Sequence, residues 1–239
     1  MQKRELLYEG KAKQVYTTDD PALLIVRYKD DATAFNGKKR GTIPGKGAVN
    51  NQMSNALMRR LESSGIATHF VKELNERETL VRRVQIVPLE LVVRNCSAGS
   101  FCKRYAFPEG QVFLEPVVEY SFKNDALGDP LTPVSHILAL GLAAPWELEQ
   151  MERCALQINT LLRAFWRGCG VTLVDFKLEF GRLEDGSLLL ADEISPDTCR
   201  LWDSATGKKL DKDRFRLDLG GTEDAYAEVL RRLRAGERA

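Results

Sequence analysis

The segment Leu173-Val174-Asp175-Phe176-Lys177-Leu178-Glu179-Phe180-Gly181 constrains the fold of this 239-residue chain more than any other. From Val174 to Glu179 it alternates apolar and charged residues. Side chains on a strand point to opposite faces in turn. Asp175, Lys177 and Glu179 therefore share one face, and Val174, Phe176, Leu178 and Phe180 the other. Asp185-Gly186 is a strong signal for a tight hairpin turn. A turn centred there places Leu183 opposite Leu188 and Glu179 opposite Asp192. Opposed side chains lie roughly 4.5–5.5 Å apart at Cβ, where like charges destabilise the pair. A divalent cation removes that repulsion. Hard carboxylate oxygens without thiolates or imidazoles favour magnesium, which takes one or two carboxylates plus substrate phosphates. On this reading, neutralising one carboxylate stabilises the metal-free protein. The same alternation also fits a solvated strand face.

Composition narrows the function class. The chain has 35 basic and 34 acidic residues, without the basic excess of a general nucleic-acid or membrane-surface binder. No apolar run has the length of a signal peptide or a bilayer span. The five cysteines form no C-x-x-C pair and only two histidines are present, so neither a zinc site nor a disulfide framework is expected. A reducing, cytoplasmic setting fits best.

The order of elements predicts an α+β fold. Strands are expected at 6–16 around a Gly10 turn, then at 23–28, 67–73, 79–87 and 89–94. A Gly-rich loop at 41–47 leads into a helix over 48–64. Pro145 opens a helix reaching about residue 166, with Leu148, Met151, Ala155, Ile158, Leu162 and Phe165 at helical spacing. A hairpin at 171–194 and a closing helix at 223–234 follow. Two lobes around a cleft are expected, residues 1–87 β-rich and 88–239 α+β.

Three polar clusters suit a phosphorylated ligand. Gly10 lets a backbone approach a ligand closely, and Lys11 and Lys13 lie two apart, hence on one face. No Walker A pattern is present, and exposed lysines beside a turn are the plain alternative. Arg94 ends an apolar strand, and Ser100 after Ala98-Gly99 is placed to cap a short helix, whose free N–H groups bind phosphate. An ordinary strand and capped helix fit equally. The third cluster, Asp192 to Asp203, is dense in charge for a segment carrying Ile194 and Trp202, or is simply a charged loop.

Taken together, these blocks resemble the SAICAR synthetase family. Pro88-Leu89-Glu90-Leu91-Val92-Val93-Arg94 with Ala98-Gly99-Ser100 is similar to one family signature, and Leu173 to Gly181 to the other. Gly10-Lys11-Ala12-Lys13, Lys123-Asn124-Asp125-Ala126 with Asp129-Pro130, and Asp192-Glu193-Ile194-Ser195-Pro196-Asp197 through Arg200-Leu201-Trp202-Asp203 match further family blocks, in order along the chain. The resemblance implies a two-lobed fold around an ATP cleft, distantly similar to protein kinases and ATP-grasp enzymes. It implies ligation of L-aspartate to carboxyaminoimidazole ribonucleotide (CAIR), giving SAICAR, ADP and phosphate through an acyl phosphate, with magnesium as cofactor and a homo-oligomer as a possible assembly. Carried over by position, Gly10, Lys11, Lys13 and Lys123 meet ATP, and Gln85 and Ile86 form the hinge against adenine. Glu179 and Asp192 hold magnesium. Glu90, Arg94, Ser100, Asp197 and Arg200 bind the ribonucleotide, with Arg94, Ser100 and Arg200 on its 5′-phosphate. Lys13, Lys123, Asp175 and Lys177 serve the reaction. Asn36 stands where several relatives carry Asp, which bears on any role there in positioning aspartate. The rivals are a small-molecule kinase acting on a phosphoribosyl substrate and an inactive nucleotide-binding protein.

Overall fold

The structure, a computed structural model, describes residues 2–34 and 37–238. Asn36 lies outside them. The chain opens with β1 (Lys3–Glu9), β2 (Lys13–Thr18), β3 (Leu23–Tyr28), β4 (Asp31–Ala34), β5 (Lys39–Thr42) and α1 (Lys46–Ser63). Then come β6 (Phe70–Asn75), β7 (Glu78–Arg82), β8 (Gln85–Ile86), β9 (Leu89–Cys96), α2 (Ser100–Tyr105) and β10 (Val112–Phe122). The remainder is α3 (Val134–Ala139), α4 (Pro145–Gly168), β11 (Val171–Arg182), β12 (Leu188–Ala191), β13 (Cys199–Asp203), α5 (Asp213–Arg216) and α6 (Thr222–Gly236). This is the expected α+β class. No described helix is long and apolar enough to cross a membrane.

Two antiparallel sheets organise it. The first has the order β1-β2-β3-β7-β6, and the second joins β10, β9, β11 and β12, with β8 and β13 also paired to β11. The chain changes sheets after Arg82. The single strand expected over 79–87 is therefore two, because Arg83 N–H bonds to Ala22 while Val87 N–H already bonds to Phe180 on β11. The first half of the expected Gly-rich loop is β5, paired with β4.

β11 is the centre of the fold. β9 and β13 flank it around Asp175 and Phe176, and β8 and β12 flank it at Gly181 and Arg182. One apolar face, with Phe176, Leu178 and Phe180, packs into the main core beneath α4. The predicted stripe of α4, Leu148 to Phe165, is buried in the same core. The charged face is not solvated either: Asp175 is 3% exposed and Glu179 2%. That decides against a plain surface strand, because isolated carboxylates are almost never fully buried.

The hairpin register differs from the expected one. Glu179 pairs with Ala191, not Asp192, and Arg182 pairs with Leu188. The cause is the turn. Leu183 N–H bonds to Ser187 at 2.9 Å, so the loop contains three residues rather than two. Gly186 adopts a left-handed φ of 83°, and Asp185 Oδ1 accepts from Ser187 N–H at 2.9 Å. Asp192 itself is left-handed, with φ 57°, just past the end of β12.

Candidate functional site

Two adjoining cavities lie against the charged face of β11. The larger, about 520 Å³, has apolar walls from Val15, Leu24, Val26, Val81, Val84 and Ile86. Its polar end holds Gly10, Lys11, Lys13, Lys123, Lys177, Glu179 and Asp192. Ile86 lines it, whereas Gln85 is not among its lining residues. The smaller, about 370 Å³, is lined by Glu90, Arg94, Asp175, Asp197, Arg200 and four further basic residues, Lys11, Lys177, Lys212 and Arg216. Lys11, Glu90, Lys177 and Glu193 line both, so the cavities meet at these residues.

At the junction, lysines knit the carboxylates together. Lys177 Nζ donates to Glu179 Oε1, to Asp192 Oδ2 at 3.0 Å, and lies 3.3 Å from Glu90. Lys13 Nζ donates to Asp192 and lies 3.2 Å from Glu193, and Lys123 donates to Glu179. Burial opposes the charge of Lys177, but Asp192, Glu179 and Glu90 outweigh it and hold its pKa well above the usual lysine value. Burial likewise opposes ionisation of Asp192, yet Lys13, Lys177 and Lys123 hold it well below the usual carboxylate range. Glu179 and Asp192 are thus brought together without facing each other across the strands: the left-handed backbone at Asp192 turns its carboxylate back to Lys177. Lys11 and Lys13 both line the larger cavity but take different partners, since Lys11 sits in the turn before β2 and donates to Asp125 at 2.6 Å.

In the smaller cavity, Asp175 joins two arginines. Arg94 Nη1 donates to Asp175 Oδ2 at 2.7 Å, and Arg200 Nη1 to the same oxygen at 2.9 Å. Ser100 does not cap α2; Gly99 is the N-cap, and the Ser100 hydroxyl accepts from Arg94 Nη2 at 3.1 Å. Ser100 is exposed and lines neither cavity. A Cβ on Gly99 would fall 2.2 Å from Arg200 Nη2, so the glycine makes room for that guanidinium.

Several residues packed at this site carried no sequence signal. Lys46, 1% exposed, donates to Asp197 Oδ2 at 2.9 Å, and Lys212 donates to the same oxygen at 3.2 Å. Burial works against the Asp197 carboxylate, but Lys212 and Lys46 hold its pKa far below the ordinary range. The segment around Lys212 reads only as alternating charge. Leu210, buried among charged neighbours, was the one hint of an inward-facing turn.

Behind this cavity, Asp211 is fully buried and accepts N–H bonds from Leu201 at 2.8 Å and Asp213 at 2.7 Å. Burial, with Asp213 nearby, pushes its pKa up to about 7. A carboxyl whose folded pKa is raised contributes stability below its unfolded pKa of about 4, and loses it as pH rises through the folded value. The melting temperature of Asp211→Asn relative to the parent protein should therefore climb between about pH 4 and pH 7. A difference that stays flat over that interval would show that Asp211 does not titrate there.

The profile of the SAICAR synthetase family matches residues 6–233. A phosphoribosylaminoimidazole-succinocarboxamide synthase of Lachnoclostridium phytofermentans is 57% identical, covering 98% of this chain and 99% of the relative. The crystal structure of the Ehrlichia chaffeensis synthase superposes with a TM-score of 0.95 at 48% identity, covering 97% of this chain and 99% of that one. A SAICAR synthetase in complex with ADP superposes at 0.92 with 46% identity, covering 96% and 97%.

Proposed function

This chain belongs to the SAICAR synthetase family, and from that membership we propose how its two cavities divide the labour. The activity is ATP-dependent ligation of L-aspartate to CAIR in purine biosynthesis. We assign the larger, apolar-walled cavity to ATP. Its base would lie between the valines and Ile86, and its phosphates would lie toward Lys11, Lys13 and Lys123. The smaller, arginine-lined cavity takes the ribonucleotide, with Arg94 and Arg200 as its anionic anchor. The observation that carries this division is the junction: Lys177, Glu90 and Glu193 line both cavities, where a γ-phosphoryl and the CAIR carboxylate must meet.

Magnesium fits this junction. Among the described residues no three His, Cys, Asp or Glu side chains converge to hold a metal alone. Glu179 and Asp192 supply two hard carboxylates beside a phosphate cavity, which suits an ion that takes one or two carboxylates and completes its shell with phosphate oxygens. Bound there, magnesium would neutralise phosphate charge. Five free cysteines support a reducing, cytoplasmic setting.

The reaction needs positioning and charge neutralisation more than a protein nucleophile. A CAIR carboxylate oxygen attacks the γ-phosphorus and ADP leaves. The amine of aspartate attacks the acyl carbon and loses a proton, and phosphate leaves with the bridging oxygen. ADP should accumulate in steady state only when CAIR and L-aspartate are both present. CAIR labelled with heavy oxygen in its carboxylate should pass one labelled atom to phosphate and none to ADP. Steady ADP release with CAIR alone would favour a kinase, and unlabelled phosphate from CAIR that keeps its label would reject the acyl phosphate.

A further inference from the structure

Arg216 lies beyond the last of the sequence blocks, which ends at Asp203. Arg94 is committed to protein partners: Nε to Glu119 at 2.9 Å, Nη1 to Asp175, and Nη2 to Ser100. Arg200 gives Nε to Asp213 at 2.7 Å and Nη1 to Asp175. Among the described residues Arg216, by contrast, spends only Nη1, on Asp213 Oδ1 at 2.7 Å, and its side chain is 28% exposed where it lines the smaller cavity. A guanidinium carries five N–H donors, so Arg216 keeps the most for a ligand.

Asp213 joins the pair from behind. It is 3% exposed and is not among the residues lining the cavity. Burial opposes its ionisation, but Arg200 and Arg216 hold its pKa down at about 2, so it is a carboxylate at neutral pH. Its backbone is fixed in turn: Asp213 N–H bonds to Asp211 Oδ1, while Asp211 Oδ2 takes the N–H of Leu201, next to Arg200 on β13. One buried carboxylate thus sets two arginines from different elements, β13 and α5, side by side.

We propose that Arg216 is a ribonucleotide-binding residue and that Asp213 is the positioning residue that sets it beside Arg200 as a pre-formed pair for the substrate's phosphate. This rests on assigning the smaller cavity to CAIR. Two effects of Asp213 oppose each other. Its negative charge weakens anion binding through space, whereas its hydrogen bonds hold both guanidiniums in a fixed direction and lower the ordering cost of binding. Asp213 is itself buried and gives one oxygen to each guanidinium, so we take the second effect to dominate.

The test is CAIR and ATP titration of variants of the full chain. Arg216→Ala should raise the KM for CAIR by about tenfold or more, in line with loss of a charged hydrogen bond, with little change for ATP. Asp213→Asn should do the same, and Asp213→Glu, which restores the charge, should recover part of the loss. In the Arg216→Ala background the Asp213→Asn change should cost less than in the parent, because part of what Asp213 holds is gone. If Asp213→Asn does not fold, Asp213→Glu and Arg216→Ala still decide the question. CAIR binding by Asp213→Asn that is unchanged or tighter would mean the carboxylate only offsets charge, and fully additive losses would separate the two residues; either overturns the proposal. Arg94→Ala is the control: if it binds CAIR normally, the cavity assignment itself fails, whereas a loss there beside a normal Arg216→Ala rejects only the present inference.

Discussion

Glu179→Gln, and separately Asp192→Asn, should lower turnover on the order of a thousandfold while leaving the protein folded. A metal clamp on a phosphoryl group contributes several kcal/mol to the transition state, and each ~1.4 kcal/mol is a factor of ten. Glu179, 2% exposed, lines the larger cavity and is bound by Lys177, which lines both. The stability effect runs opposite to the expectation from cross-strand repulsion. That expectation required two carboxylates facing each other; here Lys177 bridges them, Lys123 holds Glu179 and Lys13 holds Asp192. Neutralising either carboxylate removes attraction rather than repulsion, so each variant should melt somewhat lower than the parent. Turnover against magnesium concentration is the measurement. Near-parental turnover with an unchanged magnesium dependence would remove these residues from the metal.

What the sequence exposed and what it hid follow from the range of the forces involved. The face shared by Asp175, Lys177 and Glu179 was legible because strand alternation is local and has a period of two. The pairing across the hairpin was not, because one additional loop residue, with Gly186 left-handed, moves every partner by one position. The same two carboxylates still converge, through a second left-handed residue at Asp192 that no pattern announces. The Ala98-Gly99-Ser100 block was legible as a motif, but its reason was not: Gly99 is small because Arg200, about a hundred residues later in the chain, packs against it. Lys46, Lys212, Asp213 and Arg216 gave nothing to periodicity, since a charge that turns inward looks, in sequence, like one that turns outward. Lys46, Lys212 and Asp213 are placed by non-local pairing, with Asp197 for the lysines and Arg200 for Asp213, and Arg216 joins them through its bond to Asp213.

Lys177→Met should destabilise the protein more than any single change at the junction and abolish activity with it. The ammonium is the cation shared by Glu179, Asp192 and Glu90. Methionine fills the same space but returns none of that charge, so buried carboxylates are left facing one another. Removing one partner of a buried ion pair costs about 3–5 kcal/mol. The lower end applies here, because 21% of the Lys177 side chain is exposed and Lys13 and Lys123 keep their own contacts. For a chain of this size about 3 kcal/mol corresponds to a fall in melting temperature of roughly 6–12 °C. The pH dependence carries a sign as well. Asp192 has a depressed folded pKa, so its contribution is present above the unfolded value and is lost as pH falls through the folded one. Without Lys177 that depression shrinks, so the variant's deficit should be largest near neutral pH and narrow as both proteins are acidified. Lys177→Arg, which keeps the charge, should hold most of the stability while losing turnover, since a planar guanidinium cannot place its donors where one ammonium reaches three carboxylates. Melting curves of the two variants from pH 7 downward separate these effects, and a Lys177→Met protein that melts with the parent across that range would show that the three carboxylates do not depend on this lysine.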